Sequence, residues 1–411
     1  MAIQPYDHRK SKIQLHITNA DGTPAALKQV TAAQTKHQFL FGVGAFDAVP
    51  YANGEADEAQ REQLHDRLKK MFTLNNFGTL PFYLGRFEPE EGKPDTARLQ
   101  AAARYLKGRG IQVKGHPLCW HTVCAPWLMK YSNEVILEKQ LERIRREVGG
   151  FKGIIDMWDV INEVVIMPIF DKYDNAVTRI AKTLGRAGLV KKVFAAAREA
   201  NPNAILLIND FNTSIDYEIL VDGCLQAGIE IDAIGIQSHQ HQGYWGREKI
   251  VKVLERFAHF GKPLHFTENT LISGDLMPAH IEDLNDWQVE SWPTTPQGEA
   301  RQAHEIVEMY ETLFAHPAVT AITTWDAVDG KWLKAPSGLL RADNSPKPAY
   351  EALMQKVKGE WWTKTSIVTD ENGDAELEGF RGEYELHCQG KRASFTLDEK
   401  SARREITLAD A

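Results

Sequence analysis

Eight short apolar segments with strand character alternate with amphipathic helical segments along most of this chain, and that alternation leaves few folds open. The sequence predicts strands at Phe39–Ala45, Phe72–Leu80, Ile111–Cys119, Ile154–Asn162, Ile205–Asp210, Ile231–Gln237, Pro263–Thr267 and Val319–Trp325. Several are apolar without interruption, as expected of strands buried on both faces of a parallel sheet. Between them, Leu137, Leu141, Ile144 and Val148 fall on one helical face behind a cap at Ser132 or Asn133. Leu64, Leu68 and Met71 make a similar stripe. Eight such repeats over about 320 residues predict an α/β fold, a (β/α)₈ barrel of the TIM type.

The two ends follow a different rule. Ile13, Leu15 and Ile17 alternate with polar residues and lead into the turn Asn19-Ala20-Asp21-Gly22. Near the other end an Asn372-Gly373 turn precedes the alternation Tyr384, Leu386, Cys388 and then Phe395, Leu397. Neither piece is large enough to bury a core alone, so the two are expected to build a small accessory β domain together. The expected division is a β segment over 1–37, a catalytic barrel over 38–358 and a second β segment over 359–411, with Trp361-Trp362 packing the tail rather than offering a sugar platform.

Composition narrows the function classes. A formal net charge of −8 argues against a nucleic-acid partner, because phosphate contacts need basic surface. No apolar run approaches the roughly 20 residues of a membrane span. Cys119, Cys124, Cys224 and Cys388 are too scattered for a disulfide framework and are expected to be free thiols. The segment from Met1 to Lys12 holds no signal-peptide core, which fits a cytoplasmic protein or a secreted one whose leader has been removed. A monomer is expected, with no cofactor and no metal.

In such a barrel, catalytic groups stand at the C-terminal ends of the strands. The third strand ends in His116-Pro117-Leu118-Cys119-Trp120-His121 and the fourth in Trp158-Asp159-Val160-Ile161-Asn162-Glu163. The sixth ends in Gln237-Ser238-His239, the seventh in Thr267-Glu268, and the eighth in Trp325-Asp326, with Trp332 just beyond. Two carboxylates at separate strand ends are what glycosidic cleavage requires. Indole faces stack on sugar rings, and amide and imidazole groups bind hydroxyls. One glutamate at a strand end would be an ordinary solvated residue; two in aromatic and amide company are read as a site. His239 and His241 are also readable as a metal pair, but no further ligands stand at matching positions.

These blocks resemble glycoside hydrolase family 10, the retaining endo-β-1,4-xylanases. Gly115–His121 with Pro126-Trp127, Trp158–Glu163, Ile208–Asn212, Ile234–His239, Thr267-Glu268, Trp325, Trp332 and Pro346–Tyr350 follow that family's order. The resemblance implies that Glu163 is the acid/base and Glu268 the nucleophile, and that Asn162 contacts the 2-hydroxyl of the reacting sugar. It places His116, Trp120 and His121 on the glycone side, assigns Gln237 and His239 to the nucleophile, and makes Trp325 and Trp332 walls of the cleft. The implied partner is a polysaccharide or oligosaccharide.

Two departures stand out. The family has an Asp two residues after the nucleophile, in a relay with the strand-six His; here that position is Thr270. The family's Glu-Asn…Lys-Trp block after strand two is replaced by Thr79–Arg86, and only Glu88-Pro89-Glu90-Glu91-Gly92 is kept. Linear xylan is therefore expected to be a poor substrate, with a decorated or non-xylan β-glycan as the rival. A barrel that binds glycan without cleaving it is the second rival; it has no use for an acid beside Asn162.

Overall fold

The computed structural model describes residues 6–400 and 402–410. Its larger unit, Phe41–Leu313 with Ala318–Ala349, contains all but the first residue of a closed eight-stranded parallel barrel. In chain order the strands are β1 (Leu40–Gly44), β2 (Phe77–Pro81), β3 (Gln112–His116), β4 (Met157–Asn162), β5 (Ile205–Asp210), β6 (Ala233–Gln240), β7 (Leu264–Leu271) and β8 (Val319–Thr324). Every residue of β1, β4 and β7 is buried; β1 is apolar throughout, whereas β4 and β7 also bury polar side chains such as Asp159, Asn162, Thr267 and Glu268 inside the barrel.

The second strand begins later than the sequence suggests. Phe72 to Leu74 close the helix Glu58–Leu74, whose Asp57 cap accepts the N–H of Gln60 in a capping box, and only from Phe77 is the chain extended. In the helix Asn133–Gly150 the cap is Ser132, and Ile136 is buried with Leu141, Ile144 and Val148 while Leu137 is only half-buried. β6 and β7 run further than expected, to Gln240 and Leu271, because their ladder continues through His239–Thr270 and Gln240–Leu271. That extension carries polar side chains to the barrel mouth.

Two glycines decide how closely barrel elements approach. A Cβ at Gly115 on β3 would overlap the indole of Trp158, and one at Gly235 on β6 would overlap the side-chain oxygen of Asn209. The second contact leaves Asn209 room inside the barrel.

The smaller unit comprises the chain up to Leu40, Phe314–Pro317 and the chain from Tyr350. Strand Lys10–Thr18 pairs antiparallel with Asp374–Phe380 and parallel with Arg403–Thr407. Strand Gln29–His37 pairs antiparallel with Lys364–Val368 and with Gly382–Cys388, which continues the sheet to Lys391–Leu397. Ile13, Leu15, Ile17, Tyr384, Leu386 and Phe395 share one core, so the N- and C-terminal segments do form sheets together. Trp361 is fully buried and stacks on Phe314 at 4.4 Å between ring centroids. All four cysteines are free thiols.

Candidate active site

Glu163 follows β4 with a backbone φ of 58°, a left-handed conformation that costs a non-glycine residue about 1–3 kcal/mol. Its N–H is held by the carbonyl of Asn209 at 2.8 Å. Glu268 is 4% exposed in the middle of β7. Side-chain amides tie the two together. The Asn209 amide donates to Glu268 Oε1 at 2.8 Å and to Asn162 Oδ1 at 2.8 Å. Asn162 in turn donates to Glu163 Oε1 at 3.2 Å, and the Gln237 amide donates to both Asn162 Oδ1 at 3.0 Å and Glu163 Oε1 at 3.3 Å. Thr267 fixes Asn209 by donating to its Oδ1 at 2.6 Å. Gln237 thus serves the Glu163 side of the network rather than Glu268, to which the resemblance assigns it.

Glu268 has an imidazole on each oxygen. His239 Nε2 lies 3.1 Å from Oε2 and His116 Nε2 lies 3.7 Å from Oε1. His116 is backed by Asp159, whose Oδ2 is 2.7 Å from Nδ1 and 2.6 Å from the Lys114 ammonium, all fully or almost fully buried. Behind His239 stands Thr270, with Oγ1 at 3.4 Å from Nδ1.

Aromatic rings enclose this polar centre. Trp325 meets the edges of His116, Phe46 and His239 at 5.2, 5.3 and 6.1 Å, and Trp332 packs on His239 at 4.6 Å. Tyr83 lies between His116 at 5.7 Å and Trp120 at 5.6 Å. His121 is placed differently: it is buried against Phe170 at 4.5 Å, and its Nδ1 has no hydrogen-bond partner among the described residues. Across the mouth, Lys172 from the loop after β4 pairs with Asp283 at 2.7 Å and Asp286 at 2.8 Å in the loop after β7.

The model of glycosyl hydrolase family 10 matches residues 33–356, most of the chain. The chain belongs to this family. Endo-1,4-beta-xylanase B of Paenibacillus barcinonensis is 32% identical over 248 residues, 56% of this chain and 70% of that protein. The endo-1,4-beta-xylanase/feruloyl esterase of Xylanibacter ruminicola is 28% identical over 240 residues, 50% of this chain but only 33% of that protein. A solved family 10 structure from Paenibacillus barcinonensis shares the fold, with a TM-score of 0.64 at 21% identity over 78% of this chain and 96% of that one.

The family 10 barrel holds its two glutamates in opposite electrostatic settings. Burial pushes the Glu163 carboxyl up to about 8; nearby Asp210 and Glu268 add to this, against the opposing hydrogen bond from Gln237. The Trp120 indole N–H approaches and works the same way as Gln237, without forming a well-aligned hydrogen bond. Burial also works to raise Glu268, but His116, His239 and Lys114 outweigh it and the carboxyl is held below its ordinary range. Asp210 is itself pushed up by burial to about 7, although the N–H groups of Val165 and Asn212 bond it at 3.0 and 2.9 Å.

The sequence assigns no role to Asn209, Thr267, Asp159 or Lys114, and it marks Tyr83 only as part of the replaced segment Thr79–Arg86. Asn209 stood inside a quoted block, Ile208–Asn212, but nothing in that block shows that its side chain points across the barrel. Among the described residues no group of three or more His, Cys, Asp or Glu side chains is arranged to hold a metal ion, and His239 and His241 meet instead at the Thr270 hydroxyl. No helix among them is long and apolar enough to cross a membrane.

Proposed function

We propose that this chain hydrolyses β-1,4-xylan or a related β-glycan, with retention of anomeric configuration. The observation that carries this reading is the opposed setting of Glu163 and Glu268 within one amide network: one carboxyl is biased to keep its proton and the other to lose it. That is the division of labour between acid and nucleophile.

In the first step Glu268 attacks the anomeric carbon as the bond to the leaving oxygen breaks, and Glu163 gives its proton to that oxygen. The products are a glycosyl ester on Glu268 and the shortened glycan. Esterification removes the Glu268 charge, which lowers the Glu163 pKa and suits it to the second step. Glu163 then takes a proton from water, the hydroxyl attacks the anomeric carbon, and Glu268 is released as carboxylate. Asn162 is suited to the sugar 2-hydroxyl because its amide bonds Glu163 directly and is joined to Glu268 through Asn209.

Xylan is supported by family membership and by relatives that bear the name endo-1,4-beta-xylanase. Tyr83, set against His116 and Trp120, supports a glycone side that grips by aromatic contact where the family pattern places a lysine and amides. The test is to trap the enzyme with a 2-fluoro β-xyloside bearing an activated leaving group, map the labelled peptide, and follow the first-formed product anomer by proton NMR. A β product and a label on Glu268 are expected. An α product first formed would overturn retention.

A further inference from the structure

The two imidazoles flanking Glu268 have different supports. Asp159, a carboxylate paired with Lys114, stands behind His116. Thr270, a neutral hydroxyl 1% exposed, stands behind His239 where the family's pattern has an aspartate.

The Thr270 oxygen has three neighbours. It accepts the backbone N–H of Gln240 at 3.2 Å, and it lies 3.4 Å from His239 Nδ1 and 3.3 Å from His241 Nδ1. A hydroxyl carries one proton and two lone pairs. With one lone pair given to Gln240, one proton and one lone pair remain for two ring nitrogens. One histidine must therefore accept the hydroxyl proton while the other donates to the oxygen.

The surroundings of His241 decide which. Its ring is fully buried between Trp332 at 4.9 Å and Trp292 at 5.9 Å, and its Nε2 has no hydrogen-bond partner among the described residues. A buried orphan N–H is a rarer and costlier feature than an under-used acceptor. The proton of His241 thus belongs on Nδ1, pointing at Thr270. Burial drives the same ring to about 3, so it is neutral. The Thr270 proton then points to His239 Nδ1, and the His239 proton must sit on Nε2, facing Glu268 at 3.1 Å.

We propose that His241 and Thr270 are positioning residues that fix His239 as a neutral Nε2–H donor to the nucleophile, replacing a carboxylate-backed relay by a chain of neutral hydrogen bonds. The direction is His241 Nδ1–H to Thr270, Thr270 O–H to His239, and His239 Nε2–H to Glu268. The charged pair of Asp159 and Lys114 then stands behind His116, while behind His239 the hydrogen-bonded chain runs through Thr270 to His241, with the indoles of Trp325 and Trp332 packed on the His239 ring. The proposal rests on Glu268 as nucleophile for its catalytic meaning, though not for its proton positions.

Long-range proton–nitrogen correlation on the full chain with ¹⁵N-labelled histidine, without substrate at neutral pH, tests it. His239 is expected as the Nε2–H form with an acceptor-type Nδ1, and His241 as the Nδ1–H form. A doubly protonated His239, or one with its proton on Nδ1, would overturn the proposal. Thr270→Val, which keeps the shape and loses the hydroxyl, should cost about tenfold in kcat/KM on an aryl β-xyloside and disturb the His239 tautomer. Thr270→Ser should recover most of that loss. Thr270→Asp, which replaces the hydroxyl donor by an acceptor, should place a proton on His239 Nδ1. Unchanged tautomers and kinetics in Thr270→Val would also overturn the proposal. A 2-fluoro sugar label on a residue other than Glu268 would instead remove the nucleophile assignment, leaving the wild-type tautomers to judge the network.

Discussion

Asn209 donates one amide hydrogen to Glu268 and the other to Asn162, so a single side chain spans the two halves of the site. Its oxygen is pinned by Thr267, and Gly235 leaves the space it occupies. A hydrogen bond to a charged group is worth about 1.5–3 kcal/mol. Asn209→Ala should therefore lower kcat/KM by roughly 10- to 100-fold while the barrel still melts cooperatively. Kinetics on an aryl β-xyloside alongside calorimetry checks this, and a change below about twofold would remove Asn209 from the positioning network.

That asparagine also marks where reading the sequence stops. The barrel was legible because strands buried on both faces leave unbroken apolar runs, as at Val160-Ile161 and Leu206-Leu207-Ile208. Glu163, Glu268 and Asn162 were singled out by the specific blocks around them, and the structure brings the three into one hydrogen-bond network. The partners that set their chemistry were not. Gln237 turned out to bond Glu163, and Asn209 to bond Glu268, because side-chain direction at a strand end depends on which residue across the barrel leaves room. Phe72–Leu74 read as strand because a short apolar run at a helix end carries no period of its own.

Glu163 links activity and stability to pH in a way that can be separated. Its folded-state pKa, about 8, exceeds that of an unfolded glutamate, so the folded chain holds this proton more tightly. The stability contributed by that proton is whole below about 4.5 and is lost as pH rises to about 8. Glu163→Gln cannot ionise, so its melting temperature relative to wild type should climb steadily between pH 5 and about 8 and then level off. Scanning calorimetry across that range checks the sign; a flat difference would show that Glu163 titrates normally.

The two glutamates should fail differently. Glu268→Ala should abolish turnover, and azide should restore it as a glycosyl azide of inverted configuration. Glu163→Ala should still form the ester with an activated aryl glycoside, whose leaving group needs little acid help, and should stall at hydrolysis. Rapid-quench burst measurements distinguish the cases. Equal loss of the first step in both variants on that substrate would reverse the assignment.

Lys172 joins the loop that follows Glu163 to the loop that follows Glu268, through Asp283 and Asp286. The three side chains are partly exposed, and such pairs contribute about 0–1 kcal/mol to stability. Lys172→Ala should therefore leave the melting temperature almost unchanged while altering KM for glycans that reach these loops. Raising the salt to about 1 M, where screening acts within about 3 Å, should move the wild-type KM towards that of the variant and leave the variant unaffected. Equal salt responses in both proteins would show that this bridge does not shape binding.

Thr79–Arg86, which the resemblance places on the glycone side, stand where the family pattern has a charged and amide block, and Tyr83 of this segment packs beside His116 and Trp120. Binding energy gathered from a remote sugar lowers the barrier at the reacting carbon, so its loss depresses turnover as well as affinity. Each lost hydrogen bond to a sugar hydroxyl costs on the order of 1 kcal/mol, and two or three together cost roughly one to two orders of magnitude or slightly more in kcat/KM. Linear xylo-oligosaccharides should accordingly gain little when a second glycone-side xylose is added. A decorated or differently linked β-glycan that presents an apolar face to Tyr83 should gain more, and Tyr83→Ala should erase that preference. The measurement is kcat/KM across linear chains of increasing length, with and without side-chain sugars. A steep rise on the second unsubstituted xylose would mean that the rebuilt segment still grips it, and the altered specificity would have to be given up.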